Sequence, residues 1–504
     1  MAESTTGRWA GVLLHPTSLP GPFGIGDIGP AAVDFLAWLV RAGQSVWQIL
    51  PLGPPDFEGS PYGALSAFAA NPLLISPERL CEDGLLTRDE LAPGPGGRPD
   101  RVDFDRVAAW KEALHRRAFA RLADPARAAL RDELAAWRQA PEQRGWLADW
   151  ALFAALRRGE ERRAWITWPA SLRDREPEAL VAARRELAGE IAYEEFLQAI
   201  FDRQWRLLRE EAKVRRIGIL GDVPIYLAAG AADLWIHREL FDLDAEGRAL
   251  RLSGVPPDYF STDGQLWGNP LYRWDRLAAD GFAWWIERLR VNLQRADFVR
   301  LDHFRGFEAY WEVPAGAATA REGRWVPGPG RALLEALREG LGGLPLVAED
   351  LGEITPQVDE LRRAFALPGM KVLQFAFSAE PSDHLPHRYA RDTVVYTGTH
   401  DNDTVRGWFA GLDAATRRRV LAYVGGTPRQ LPAALLRVAY TSPAQLAVAP
   451  MQDLLGLGRP ARMNRPGVAG GNWTWRLAPG GLDAALADRL VELATVSERR
   501  PAPG

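Results

Sequence analysis

The stretch VRLDHFRGF, Val299 to Phe307, sets Asp302 among two guanidiniums and an imidazole: Arg300 precedes it, and His303 and Arg305 follow. A carboxylate crowded this way is costly in a core strand unless the molecule uses it. Strand alternation puts Arg300 and Asp302 on one face, and a guanidinium that close favours the charged carboxylate. Three further carboxylates close short apolar runs: Asp222 in GILGDVPIY, Glu349 in LPLVAEDLG and Asp401 in TVVYTGTHD. Glu349 has no cation beside it in sequence, and a neighbouring Asp302 would raise its proton affinity. A charged carboxylate paired with a protonated one is the equipment of most glycoside-cleaving enzymes. The first attacks or stabilises the anomeric carbon, and the second protonates the departing oxygen.

Such residues must converge from distant positions, so the elements that carry them matter. Strands are read at Ala10–Pro16, Ser45–Gly53, Arg216–Ile225, Asp297–Phe304, Leu344–Gly352, Met370–Phe377, Thr393–Asp401 and Gln445–Asp453. Helical patterns such as PAAVDFLAWLVRAG lie between them. Near-continuous apolar strands alternating with helices indicate a parallel sheet covered by helices. Eight such units predict an α/β fold, a (β/α)8 TIM barrel, whose active site gathers at the C-terminal strand ends. Residues 84–190 are rich in Arg, Ala, Leu and Glu with no credible strand, and are expected to form a mainly helical insertion between the second and third strands. The barrel is then built from residues 1–83 and 191–504, with further loop insertions around the site. The terminal RRPAPG is expected to fray.

Composition narrows the partners. The chain has 504 residues, 47% hydrophobic, and a net charge of −4 without a long basic block, which speaks against a nucleic-acid partner. A single cysteine, Cys81, precludes an internal disulfide and fits a reducing compartment. No run reaches the length of a membrane span, and MAESTTGRWAGVLLHP lacks the pattern of a signal peptide, so a cytoplasmic protein without membrane partners is expected. Most of the 20 tryptophans are expected in the core, with some left as flat platforms for sugar rings.

Seven motifs in order, LLHPTSLPGPFGIGDIG, GILGDVPIY, PPDYFSTDGQLWGNPLY, VRLDHFRGF, AEDLG, PGMKVLQFAF and TGTHDNDT, resemble the 4-α-glucanotransferases, glycoside hydrolase family 77, relatives of the α-amylases. The likeness runs from about Trp9 to Arg476. It implies a transferase that moves α-1,4-glucan segments from a donor to the 4-hydroxyl of an acceptor glucan or glucose through a covalent glucosyl-enzyme. The partners implied are maltooligosaccharides and starch or glycogen segments, with no cofactor and no metal. Position by position, Asp302 corresponds to the nucleophile, Glu349 to the general acid/base and Asp401 to the third carboxylate. Arg300 and His400 correspond to binding positions at the reacting sugar, Asp222 to the aspartate of the third-strand motif, counted among the substrate-binding residues, and Ser60 and Tyr62 to glucan contacts of an SPY element. Tyr259, Phe260 and Trp267 fall in a loop on the acceptor side, and Asn464 in the MNRPG element. Three departures concern substrate length: Gly63-Ala64-Leu65 after SPY, Phe57 where some members carry Tyr, and Gly230-Ala231 after GDVPIYL.

Other readings compete. A metal-dependent barrel hydrolase could use His15, Asp302, His303, His400 and Asp401 as ligands, although His15 is followed by Pro16-Thr17 and not by a second histidine, and no paired-histidine helix motif appears; otherwise His15 and His303 serve as hydrogen-bonded residues that order the site. A non-catalytic glycan-binding protein would be expected to have lost one of the three carboxylates. An α-amylase-like hydrolase shares the trio, and DHFRGF and GQLWGNP favour the transferase.

Overall fold

The structure, a computed structural model, describes residues 7–56, 59–257, 262–378, 382–468 and 470–500. All eight expected strands form, each shorter than its apolar run. They are β1 (Trp9–Leu13), β2 (Val46–Gln48), β3 (Gly218–Val223), β4 (Phe298–Leu301), β5 (Leu346–Ala348), β6 (Gly369–Val372), β7 (Thr393–Tyr396) and β8 (Leu446–Pro450). Seven parallel pairings give the order β6-β7-β8-β1-β2-β3-β4-β5. Backbone and side chain close the ring between β5 and β6. The Ala348 N–H donates to Pro368 O (2.9 Å), and the Met370 N–H donates to Asp350 Oδ1 (2.5 Å). Gly369 permits this, because a Cβ there would lie 2.4 Å from Asp350 Oδ2.

The strands β4, β7 and β8 are buried at every residue, as befits strands covered on both faces. Helices Pro30–Arg41, Ala283–Arg295, Gly330–Leu341, Pro356–Ala364, Leu431–Thr441 and Ala484–Val496 belong to the outer layer. Between β6 and β7 the described residues form only 3₁₀ turns, so that unit departs from the expected alternation. Trp47, Trp165, Trp205, Trp235 and Trp285 are fully buried, in keeping with the core role expected of most tryptophans. Among the described residues no helix is long and apolar enough to cross a membrane.

Two insertions rise from this barrel. Residues 84–190 carry helices Phe104–Arg121, Ala128–Gln139, Leu147–Gly159 and Pro177–Glu186. Their expected end at Glu190 falls inside the helix Ala188–Val214, which leads directly into β3. Gln198 of that helix exchanges hydrogen bonds with the Ala70 backbone (2.8 and 3.0 Å). Insertion and barrel thus share a helix rather than a linker. The second insertion is an antiparallel sheet in the order Gln265–Pro270, Arg251–Val255, Ala309–Pro314, Arg324–Pro327, where the sequence suggested only loops. Its strands are short and interrupted by Gly, Pro and charged residues, which blurs the period-2 pattern.

The C-terminal expectation needs correcting at Arg499, and residues 501–504 of that stretch lie outside the described residues. Arg499 is fully buried, and its guanidinium donates to six carbonyls: Tyr440, Trp9, Gln445, Ala439, Ser442 and Ala444, at 2.7–3.4 Å. It clamps the chain ahead of β1 and β8. Arg499→Ala removes these bonds and the buried guanidinium that gathers the carbonyls, and is expected to cost about 2–4 kcal/mol, read as a fall in the denaturation midpoint. An unchanged midpoint would contradict the clamp.

Candidate active site

Strand register explains why the residues meet. Pairing of β3 with β4 sets Asp222 directly across from Arg300. Arg300 donates through Nη1 to both oxygens of Asp222 (2.9 and 2.8 Å) and through Nη2 to Asp302 Oδ1 (2.8 Å). Tyr62 donates to Asp222 Oδ2 (2.6 Å) from the turn Pro61–Gly63, with Ser60 half-buried at its start. The Asp222 side chain has no exposed surface, whereas that of Asp302 is 28% exposed. One guanidinium is therefore fixed from behind and offers its other arm to a carboxylate that opens to the cleft.

Glu349 follows β5 and is buried, and both of its oxygens accept backbone N–H groups: Oε2 from His303 (2.6 Å) and Oε1 from Leu351 (3.1 Å). Burial pushes its proton affinity up to about 8; Arg300 and the two N–H groups oppose the rise, and Asp302 adds to it. The sequence-based argument rested on Asp302, and burial proves the larger cause.

The third carboxylate sits beyond β7. Asp401 Oδ2 lies 3.3 Å from His400 Nε2, Oδ1 accepts from Asn464 Nδ2 (2.7 Å), and the Asp401 carbonyl accepts from Arg462 (2.6 Å). Enclosure acts to raise its proton affinity, but the charge and hydrogen bond of His400 and the bond from Asn464 outweigh it and hold Asp401 below the usual carboxylate range. His400 stacks on Tyr62 at 4.9 Å, which joins the Asp401 group to the Arg300 group. Trp473 lies 5.7 Å from Tyr62 and 5.8 Å from His400 and completes the wall. The likeness read from sequence extends past it to Arg476 but gives Trp473 no role. Its left-handed backbone (φ 63°) turns a loop toward the strand ends and has no signature in residue type.

Trp267 lies on the edge strand of the antiparallel sheet, 37% exposed, with its ring 4.7 Å from His303 in edge-to-face orientation. Burial keeps both His15 and His303 neutral, down to about 3 and about 4. His15 Nδ1 accepts the Leu50 N–H (3.3 Å), as expected of a hydrogen-bonded residue, whereas His303 Nε2 is buried with no hydrogen-bond partner among the described residues. Among the described residues, no three His, Cys, Asp or Glu side chains group as metal ligands would. Phe57, Tyr259 and Phe260 lie outside the described residues. Two of the departures in the SPY and GDVPIYL regions are neighbours in space: a Cβ at Gly230 would lie 3.8 Å from Leu65 Cδ2.

Comparison with known proteins gives the family. The sequence profile of glycoside hydrolase family 77, described as 4-alpha-glucanotransferase, matches residues 14–482. A 4-alpha-glucanotransferase of Synechocystis sp. is 48% identical over 498 residues, covering 98% of each chain. One from Thermus thermophilus is 48% identical over 501 residues, covering 98% of this chain and 99% of that one. The solved amylomaltase of Streptococcus agalactiae, in complex with acarbose, superposes with a TM-score of 0.94 at 37% identity, over 98% of this chain and 100% of the other. With the profile match spanning most of its length and these relatives matching nearly end to end, the chain belongs to glycoside hydrolase family 77, the 4-alpha-glucanotransferases.

Proposed function

We propose that the protein is a retaining 4-alpha-glucanotransferase in which Asp302 is the nucleophile and Glu349 the general acid and base. The observation that carries the assignment is the asymmetry of the two carboxyl groups: Asp302 is ion-paired with Arg300 and open to the cleft, and Glu349 is buried with its proton retained near neutrality. An Asp302 oxygen attacks the anomeric carbon of an α-1,4-glucan. The bond to the leaving 4-oxygen breaks, and Glu349 gives its proton to that oxygen. The non-reducing fragment is then esterified to Asp302. Glu349, now ionised, takes the proton from the 4-hydroxyl of an acceptor, whose oxygen attacks the same carbon and releases Asp302.

Asp401, held by His400 and Asn464, offers a charged acceptor to hydroxyls of the reacting glucose. Tyr62, His400 and Trp473 form an aromatic wall beside it. Asp222, with no exposed side-chain surface, acts by orienting Arg300 and Tyr62 rather than by touching sugar. The substrate class is α-1,4-glucans with glucose as a minimal acceptor, and the cytoplasm is the compartment that a single unpaired cysteine suits. With maltotriose as sole substrate, longer glucans together with free glucose are the expected products. Glucose and maltose alone would indicate the hydrolase instead.

Transfer requires that an acceptor outcompete water, and Trp267 presents exposed aromatic surface close to His303, the residue that follows Asp302. Aromatic contacts add on the order of 0.5–1.5 kcal/mol beyond area burial, so Trp267→Ala is expected to weaken acceptor binding by roughly 2- to 13-fold. The ratio of free to transferred glucose from maltotriose should rise at each acceptor concentration. A ratio equal to the parent's throughout would remove Trp267 from the acceptor side.

A further inference from the structure

One residue of the site is held in a way that the catalytic steps do not require. His303 has a left-handed backbone (φ 50°), uncommon outside glycine. That conformation follows the end of β4 and directs the His303 N–H at Glu349 Oε2 (2.6 Å), while the Phe304 N–H donates to the Glu349 carbonyl (3.0 Å). The imidazole packs edge-to-face on Trp267 at 4.7 Å, and its buried Nε2 has no hydrogen-bond partner among the described residues. Gly306 leaves the space for this ring: a Cβ there would lie 3.1 Å from His303 Cδ2 and 2.7 Å from Ile225 Cδ1. A polar ring atom left unpartnered beneath an aromatic platform costs stability, so the ring's placement calls for a compensating use.

We propose that His303 is a positioning residue that ties the acceptor platform to the acid: its imidazole seats Trp267, and its left-handed N–H orients the Glu349 carboxyl. The inference rests on the glucanotransferase reading given above. It divides His303 into two separable parts, a ring that governs the acceptor and a backbone that governs proton transfer. Movement of the edge strand Gln265–Pro270 would then be felt at the acid through a single residue, and Trp267 would be held where an acceptor sugar meets the ester.

Two variants separate the parts. Asn tolerates the left-handed region and lacks the ring, so His303→Asn is expected to keep the N–H on Glu349 and release Trp267. Its apparent KM for acceptor should rise by the same roughly 2- to 13-fold as in Trp267→Ala, and the double variant should be no worse than either alone. Val is strained at positive φ, so His303→Val is expected to displace the N–H. Its kcat on maltotriose should fall by about 10²–10⁴, with most of the loss recovered in the first-turnover release of fluoride from α-maltosyl fluoride, whose leaving group needs no proton. Three results would each overturn the proposal: a parental acceptor KM in His303→Asn, additive effects in the double variant, or a first-turnover fluoride release in His303→Val that falls as far as the rate on maltotriose. The glucanotransferase reading is tested separately by the parent enzyme alone, which must lengthen maltotriose.

Discussion

Asp302→Asn is expected to lose turnover by about 10⁴-fold or more, the scale on which removal of a nucleophile acts. The amide nearly keeps the side-chain volume but cannot form the glycosyl ester. Arg300 retains both bonds to Asp222, so its buried charge stays compensated and the fold should persist. The loss should be as large on α-maltosyl fluoride as on maltotriose, because leaving-group quality cannot replace an absent nucleophile. The check is the steady-state rate on both donors beside a thermal melt. A variant that keeps more than about a few per cent of activity, with deamidation excluded, would contradict the assignment.

Glu349→Gln has a different signature. Loss of the proton donor should lower kcat on natural glucans by about 10²–10⁴, while fluoride departs without protonation and the first step on α-maltosyl fluoride survives. In the parent, Glu349 with a proton affinity near 8 remains an acid at neutral pH. The kcat/KM for maltotriose should therefore hold up to about pH 8 and fall above it, and that fall should be absent with the fluoride donor. The groups facing Glu349 are Arg300, Asp302 and the N–H groups of His303 and Leu351. Linkage adds a stability consequence. The folded protein keeps this proton above the pH, about 4.3, at which the unfolded chain releases it. The contribution to stability is therefore complete at acid pH and disappears as pH rises through about 8. The melting temperature of Glu349→Gln should gain on the parent's from pH 5 to pH 9. A constant difference would contradict the raised proton affinity.

Much of the fold was legible because parallel barrel strands are buried on both faces and so read as largely apolar runs, TVVY and LAVAP among them. The carboxylates were legible because they interrupt those runs where strands end. What the sequence hid was register and loop conformation. Nothing in GILGDVPIY states that Asp222 stands opposite Arg300; the β3–β4 pairing decides it. The antiparallel sheet stayed unseen because Gly254 and Pro270 break its alternation. Trp473 and His303 take their places through positive φ, which tryptophan and histidine do not announce. Arg499 looked like part of a polar tail because only the carbonyls gathered around it show what it binds.

The covalent intermediate is the most direct test of the account. In Glu349→Gln the ester should form from α-maltosyl fluoride and then wait, because no base remains to activate an acceptor. Rapid acid quench, proteolysis and mass spectrometry should find one maltosyl group, attached to Asp302 in the peptide containing VRLDHF, and an acceptor with an added nucleophilic anion should discharge it with retention of configuration. A label on any other residue, or turnover of the fluoride to a β-configured product with no adduct, would contradict a retaining transferase built on Asp302.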